Sequence, residues 1–500
     1  MTLPRRTIRR HPCRHRVAAL GAVIALTLSA CSGGSGKGAA TTDVVDSTAP
    51  PTTPAPATTS TTEAPTTTDA APSTTAAGAG VTDAGGQLSY QDSIDLSLAD
   101  IQAYWRTTFP KVYNAPYEEL QGKIYAVRPG SSNVPGCGAD ETLYSDVEGN
   151  AFYCSLGDFI AFDDADLLPG LYKDFDGNGF VIAVVFAHEF GHAIQARAGI
   201  SDSLPTVVSE QQADCFAGSW VRHVADGQSD NLVLSAGDID LALAGLLRFE
   251  DPPGSDIRAE GAHGSGFDRV RAFQEGYDDG AERCATYPQD DLPLLDLTFT
   301  AADEATGGNL DAPTIVTEAT TDLERFWKEL LAAASIDYTP LSGGLVPYEP
   351  TQPLSCGSEA LDESFITGNV FYCPAQDAIF LDGGFLDDVG TQIGDFAVAT
   401  LVGGAWADAM LVRLESDLTG KARSLHGDCL TGVWTADVYL GRSPLLSLSP
   451  GDLDEAVVAF LAFGDSPDVA DQGGAVGSAF ERTASFRKGF VSGVKACAAG

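Results

Sequence analysis

The residues with the clearest chemistry lie in one short segment, His188-Glu189-Phe190-Gly191-His192. Two histidines four apart on a helix project from one face, about a turn from each other, near enough to bind one tetrahedral ion. The glutamate beside them can reach the water at the metal's open position without being a ligand, and zinc lowers that water's pKa towards neutrality. Such a site hydrolyses bonds, with Glu189 as the general base. A catalytic zinc needs a third protein ligand. Eighteen residues beyond His192, Glu210 and Asp214 are again four apart on one predicted helix face, so one can bind metal while the other accepts a hydrogen bond from a ligating imidazole. His263 stands just before a predicted helix start and is the candidate donor to the developing oxyanion, with a histidine in a capped turn as the plainer reading. His223 reads as a surface histidine.

These side chains need rigid elements under them. Phe180 to Ala198 is apolar at nearly every position except His188, Glu189, His192, Gln195 and Arg197, which predicts a buried helix with an embedded polar patch, stopped at Gly199. A second helix is expected from about Pro205 to Val224, a third after a cap at Asp238, and a fourth after Ser265, with Asp268 completing a capping-box-like start. Ahead of them, a helix around Asp100 to Trp105 and short strands near Cys137 and Cys154 complete a helix-rich α+β unit. Asp174-Phe-Asp176-Gly-Asn178-Gly179 resembles the start of a calcium loop, but its twelfth position falls on Val185, so a turn and helix cap is the reading.

The pattern resembles the neutral zinc metallopeptidases, a gluzincin-like family with a helix-borne Glu-x-x-Ala-Asp second motif. The resemblance covers about residues 95 to 285. It rests on Cys137-Gly138, Phe152-Tyr153-Cys154, His188 to His192 with Gln195, Gln212 to Gly218 with Trp220, and His263-Gly264-Ser265 followed by Arg269, Phe273 and Gly276. It implies a zincin-like fold, one Zn2+ held by His188, His192 and Glu210, Asp214 behind a ligating histidine, and an endopeptidase acting on a peptide or protein. Gln211 stands where the family commonly has leucine, a change that spares the ligand.

The same domain is written twice. Asp100 to Trp105 recurs as Asp322 to Trp327, Phe152-Tyr153-Cys154 as Phe371-Tyr372-Cys373, Gly237 to Asp240 as Gly451 to Asp454, and Phe267 to Cys284 as Phe480 to Cys497. Cys137 and Cys154 are 17 residues apart, as are Cys356 and Cys373; Cys215 and Cys284 are 69 apart, against 68 for Cys429 and Cys497. Four cysteines per copy allow three connectivities. Sequential pairs are the expectation, the first pinning a hairpin and the second tying two helices. The second copy has lost the chemistry: Gly404, Ala405 and Asp408 stand opposite His188, Glu189 and His192, Ser424 opposite Glu210, and Val476 opposite His263. His426, its one histidine, cannot rebuild such a site.

Around this tandem unit the composition changes. Residues 1–30 hold six arginines and no acid, then an apolar run from Val17 to Leu28, ending in Leu28-Ser29-Ala30-Cys31. This reads as a lipoprotein signal peptide with Cys31 as the acylated residue, too short to be a membrane span. Residues 31–90 are rich in Thr, Ala and Pro with almost no apolar periodicity and read as a disordered tether. The expected domains are then 91–290, the metallopeptidase, and 313–500, its metal-less repeat. The 29 Lys and Arg against 69 Asp and Glu give a formal charge of −40, which repels nucleic acid and anionic lipid, so membrane attachment falls to acyl chains. The expected location is extracytoplasmic, anchored to a bacterial cell membrane. The competing function is a non-catalytic surface lipoprotein with structural zinc; an intact Glu189 beside a three-ligand site argues against it.

Overall fold

Ser89 opens the first helix, α1 (Tyr90–Tyr113), its hydroxyl accepting from the Asp92 amide. The computed structural model describes residues 88–497 apart from 139, 201–203, 236, 302, 467, 468 and 470–473. The expected signal peptide, Cys31 and the tether as far as residue 87 lie outside the described residues. Helix α1 buries Ile94, Ile101, Trp105 and Phe109 and stops at Asn114, which takes a left-handed conformation.

A three-stranded sheet follows, from β1 (Ile124–Val127), β2 (Ala151–Cys154) and β3 (Phe159–Asp163), in the order β1-β3-β2. β2 and β3 form an antiparallel hairpin, while β1 runs parallel to β3, leaving β2 on an edge. Five helices then complete the first half: α2 (Leu167–Asp174), α3 (Phe180–Ala198), α4 (Thr206–Ala225), α5 (Asp238–Leu247) and α6 (Gly266–Cys284). The predicted helix over 180–198 is observed with those bounds, and Gly199 closes it in the left-handed region. The calcium-like stretch is a turn and cap, with the Asn178 side chain accepting from the Phe180 amide. One detail differs from expectation. Gly237, at positive φ, occupies the cap position of α5, and the Asp238 carboxylate turns back to accept from Ser235 N and the Asn178 amide group.

The second half repeats this order. Helix α7 (Ala312–Ala333) leads to a sheet of β4 (Gly344–Tyr348), β7 (Val370–Cys373) and β8 (Ala378–Asp382) in the order β4-β8-β7, again with one parallel and one antiparallel pair. The two-residue strands β5 (Ser355–Cys356) and β6 (Glu359–Ala360) and the short helix α8 (Glu363–Ile366) lie between β4 and β7. Then come α9 (Gly383–Gln392), α10 (Asp395–Arg413), α11 (Gly420–Tyr439), α12 (Asp452–Phe463), α13 (Ala479–Ser492) and α14 (Val494–Cys497). Among the described residues, α10 is long and apolar enough to cross a membrane, and 78% of its apolar 18-residue stretch is buried in the protein as a core helix.

The recurrent sequence signatures have physical counterparts. Asp100, buried on α1, accepts from Trp220 Nε1 at 2.9 Å on α4, and in the second half Asp322 accepts from Trp434 Nε1 at 2.9 Å. A buried carboxylate needs such donors, which ties the first helix of each half to its motif helix. Cysteines pair sequentially as expected: Cys137–Cys154, Cys215–Cys284, Cys356–Cys373 and Cys429–Cys497. Cys137 belongs to a loop, so the first bridge fastens that loop onto β2 rather than joining the two strands of the hairpin. The second joins α4 to the end of α6, whose backbones nearly touch: a Cβ on Gly276 would lie 1.8 Å from the Cys215 carbonyl oxygen. Only glycine allows that approach.

The two halves share one apolar core. Phe267 of α6 meets Phe490 with ring centres 5.3 Å apart, and Tyr277 meets Phe480 at 4.8 Å. Polar contacts cross the same seam in matching pairs. Asp240 of α5 accepts from the Ala479 and Phe480 amides at the start of α13, and its counterpart Asp454 of α12 accepts from the Phe267 amide at the start of α6. Gln274 Nε2 adds a buried bond to the Phe480 carbonyl.

Candidate active site

Helix α3 is buried almost throughout because its sequence is apolar on every side, and it carries His188 and Glu189 into the interior with it. Helix α4 crosses it at Gly191, where an added Cβ would lie 2.7 Å from Ala213 Cα. That close crossing brings Glu210, one turn before Ala213, over the two histidines. Glu210 lies 3.1 Å from His188 Nε2 and 3.4 Å from His192 Nε2, and the two Nε2 atoms are 3.2 Å apart. The three side chains thus offer two imidazole nitrogens and a carboxylate oxygen within 4.8 Å of one another.

Both imidazoles are held from behind. His188 Nδ1 donates to Asp214 Oδ1 at 2.7 Å, and His192 Nδ1 donates to Gln195 Oε1 at 3.0 Å, so each ring turns Nε2 towards Glu210. Asp214 is fixed in turn by Arg269 of α6, through Nε to Oδ2 at 2.8 Å and Nη2 to Oδ1 at 2.9 Å, while Nη1 reaches the Phe249 carbonyl. Gln195 is fixed by α4, donating to the Ser209 carbonyl and accepting from its hydroxyl. The donor set fits a zinc ion: borderline nitrogen and carboxylate ligands, three in number, with the outward Nδ1 of both imidazoles already occupied.

The electrostatics agree with that fit. Burial opposes charge on His188, but Asp214 and Glu210 outweigh it and hold its pKa up at about 10. Burial likewise opposes charge on Glu210, yet His192 and His188 keep its carboxyl well below the ordinary range. The negative potential that favours protons on the histidines marks the place where a cation is stabilised. Burial pushes the Glu189 carboxyl up, against the pull of His188 and His192 and a bond from the Tyr153 amide. A carboxyl raised above its ordinary range by burial suits a base that must take a proton and return it.

The histidines and Glu189 line a cavity of about 360 Å³ bounded by β2, α3, α4, Phe249, His263 and Arg269. His263, 44% exposed in its side chain, is presented by a loop whose His263 and Gly264 amides both donate to Asp251. The structure therefore brings His188, Glu189, His192, Glu210 and His263 to one cavity, with Asp214 buried behind it. His223, expected at the surface, is partly buried against Tyr104 and is not among the residues lining the cavity. Two supports were not assigned roles from the sequence. Gln195 lies three residues after His192 on the same helix face, a spacing that signals contact. Arg269 is 55 residues from Asp214, and no local spacing points to their pairing.

Among the described residues the second half holds a similar support without a matching pair of histidines. Arg482 grips Asp428 through two bonds of 2.8 Å and reaches the Phe463 carbonyl, repeating the Arg269 arrangement. Where His192 would stand, Asp408 is instead paired with Arg423, so a guanidinium supplies the positive charge there.

Residues 56–287 match the family model described as "Putative neutral zinc metallopeptidase". The chain is 28% identical over 216 residues to an uncharacterized protein of Mycobacterium tuberculosis, covering 38% of this chain and 69% of that protein. It is 29% identical over 216 residues to the uncharacterized protein YpfJ of Escherichia coli K12, with the same coverage of each. No solved structure matches.

Proposed function

We propose, starting from that match to a zinc-metallopeptidase family, that the first half hydrolyses peptide bonds with one zinc ion held by His188, His192 and Glu210. The observation that carries the proposal is the convergence of these three side chains beside Glu189 in an open cavity. Zinc bound there supplies a Lewis acid that activates water and polarises a carbonyl. Glu189 takes the proton from the attacking water and returns it to the departing amine, a task consistent with its raised pKa. His263, half-exposed on the cavity wall, donates to the oxyanion. Asp214 and Gln195 keep the imidazoles aimed, so that ligand geometry is in place before substrate arrives.

A polypeptide substrate fits the walls. Among the described residues β2 pairs with β3 alone, and it lines the cavity from Ala151 to Tyr153, so its outer edge can take an extended chain as a further strand.

The second half is, on this reading, a copy of the first that has kept its disulfides, its Asp428 and Arg482 pair and its packing while losing its metal ligands. The chain acts at a cell surface, exported by residues 1–30 and anchored through acylated Cys31, with the stretch to about residue 88 as its tether. A Glu189→Gln variant tests the chemistry. Zinc retained with peptide hydrolysis lost by at least about a hundredfold is the expected result, on the scale of general-base removal. Unaltered turnover removes Glu189 as the base, and zinc binding without hydrolysis in the wild type favours a structural zinc.

A further inference from the structure

Among the described residues the second half adds no ligand to the His188, His192 and Glu210 cluster, yet one of its side chains touches the helix that supports the site. We propose that Asp454 is a positioning residue for the metal centre of the first half; the proposal rests on reading His188, His192 and Glu210 as that centre.

Helix α6 begins at Gly266 with backbone amides that have no partner within the helix. Ser265, of the first half, accepts from the Asp268 amide at 3.1 Å, and Asp454, of the second half, accepts from the buried Phe267 amide at 2.6 Å. The two halves thus cap one helix jointly. Its first turns carry Arg269, two residues after Phe267, and Arg269 holds both oxygens of Asp214. Asp214 holds His188 Nδ1 at 2.7 Å. Every link from Asp454 to His188 is a hydrogen bond or one turn of helix, and every group along it is buried.

The molecule supplies its own control. Asp240 makes the mirror-image contact, capping α13 through the Ala479 and Phe480 amides. Helix α13 carries Arg482, which holds Asp428, but the position opposite His188 is Gly404, so that chain of contacts ends without a ligand. Losing either aspartate removes a carboxyl acceptor from a helix start at the same interface. Only Asp454 leads to the metal.

The test uses the full chain as wild type, Asp454→Ala, Asp454→Asn and Asp240→Ala, each measured for zinc affinity by competition with a chromophoric chelator, for melting temperature, and for kcat and KM on a peptide the wild type cleaves. Asp454→Ala is expected to weaken zinc binding by about 3–10-fold, below the span typical of groups that directly hold a ligand, and to lower kcat more than it raises KM. Asp454→Asn, which keeps an acceptor for Phe267, stays within about twofold of wild type, a difference of less than half a kcal/mol. Asp240→Ala loses a comparable melting temperature and keeps wild-type zinc affinity and kcat. Should Asp454→Ala fail to fold, Asp454→Glu, which moves the acceptor by one methylene, gives the same direction at smaller amplitude. Equal zinc losses in the Asp454→Ala and Asp240→Ala variants, or a fall in melting temperature alone in Asp454→Ala, overturn the proposal. A wild type that binds zinc but cleaves no peptide refutes the peptidase reading and leaves the zinc measurements as the test of positioning; a wild type that binds no zinc removes the site and this proposal together.

Discussion

The crossing of α3 and α4 at Gly191 sets the distance between the two histidines and Glu210, and a single methyl group tests that. In Gly191→Ala the new Cβ would lie 2.7 Å from Ala213 Cα, 2.9 Å from Ala213 Cβ and 3.0 Å from the Ala213 carbonyl oxygen. Non-bonded carbons rest about 3.5–4.0 Å apart, so the helices must separate by about 1 Å, and none of the three atoms is a flexible side-chain end. Overpacking of this kind costs about 1–3 kcal/mol, which for a unit of this size lowers the melting temperature by roughly 3–10 °C. Glu210 moves with α4, and a shift of about 1 Å far exceeds the tolerance of about 0.2 Å for a zinc ligand. Zinc affinity is therefore expected to fall at least about tenfold, as it does when the supports of a ligand are lost. The second half shows how to repair it. There the crossing pairs Ala407 with Gly427, the reverse assignment of the small residue, and a Cβ on Gly427 would meet that of Ala407 at an ordinary 3.8 Å. The double variant Gly191→Ala/Ala213→Gly should then recover most of both losses, since the helix-propensity changes of about 1 kcal/mol oppose each other. Chelator competition and thermal melting read both outcomes. Wild-type zinc affinity and melting temperature in Gly191→Ala, or a double variant no better than the single, would refute the steric account.

Other consequences can be measured on the same material. Asp214→Asn removes the charge that faces both His188 and Arg269, and zinc affinity should fall by about 10–100-fold with the fold retained; an unchanged affinity in chelator competition counts against the orienting role. Trp220→Phe takes a donor from buried Asp100 and should cost about 1–3 kcal/mol in denaturant unfolding, while Trp105→Phe, whose indole nitrogen makes no such bond to Asp100, sets the baseline for ring loss. Stability should fall as pH rises from 5 to 9. Burial, with help from neighbouring acids, raises the Asp395 carboxyl to about 6 and that of Glu455 to about 8, and raises the Glu250 and Asp454 pair that meets across the two halves. Groups whose folded pKa exceeds the unfolded value stabilise fully below the unfolded value and lose that contribution as pH passes the folded one. Glu455→Gln should flatten the decline, and a melting temperature that climbs towards pH 9 would contradict this balance.

The site was largely legible in the sequence because its signals are local. His188, Glu189 and His192 fall within one turn and a half of one helix, and Glu210 and Asp214 share a face of the next, so helical periodicity alone puts each group together. The run from Phe180 to Ala198 fixed the buried helix, because a segment apolar on all sides has nowhere else to go. The cysteine spacing pointed to sequential pairs, though spacing alone allowed three connectivities in each half.

What only the tertiary structure decided depends on distances between segments far apart in the chain. That Glu210 faces both histidines follows from how closely α3 and α4 cross, which Gly191 and Ala213 govern together. That Asp214 is gripped by Arg269, that His263 reaches the same cavity from an exposed loop, and that Asp454 caps a helix of the other half could not be read from spacing, since 55, 75 and 187 residues separate His263 and each aspartate from their partners in the site or across the seam. Helical repeats specify which side chains share a face. Packing specifies which faces meet, and in this protein it is packing that turns two local motifs into one candidate metal centre.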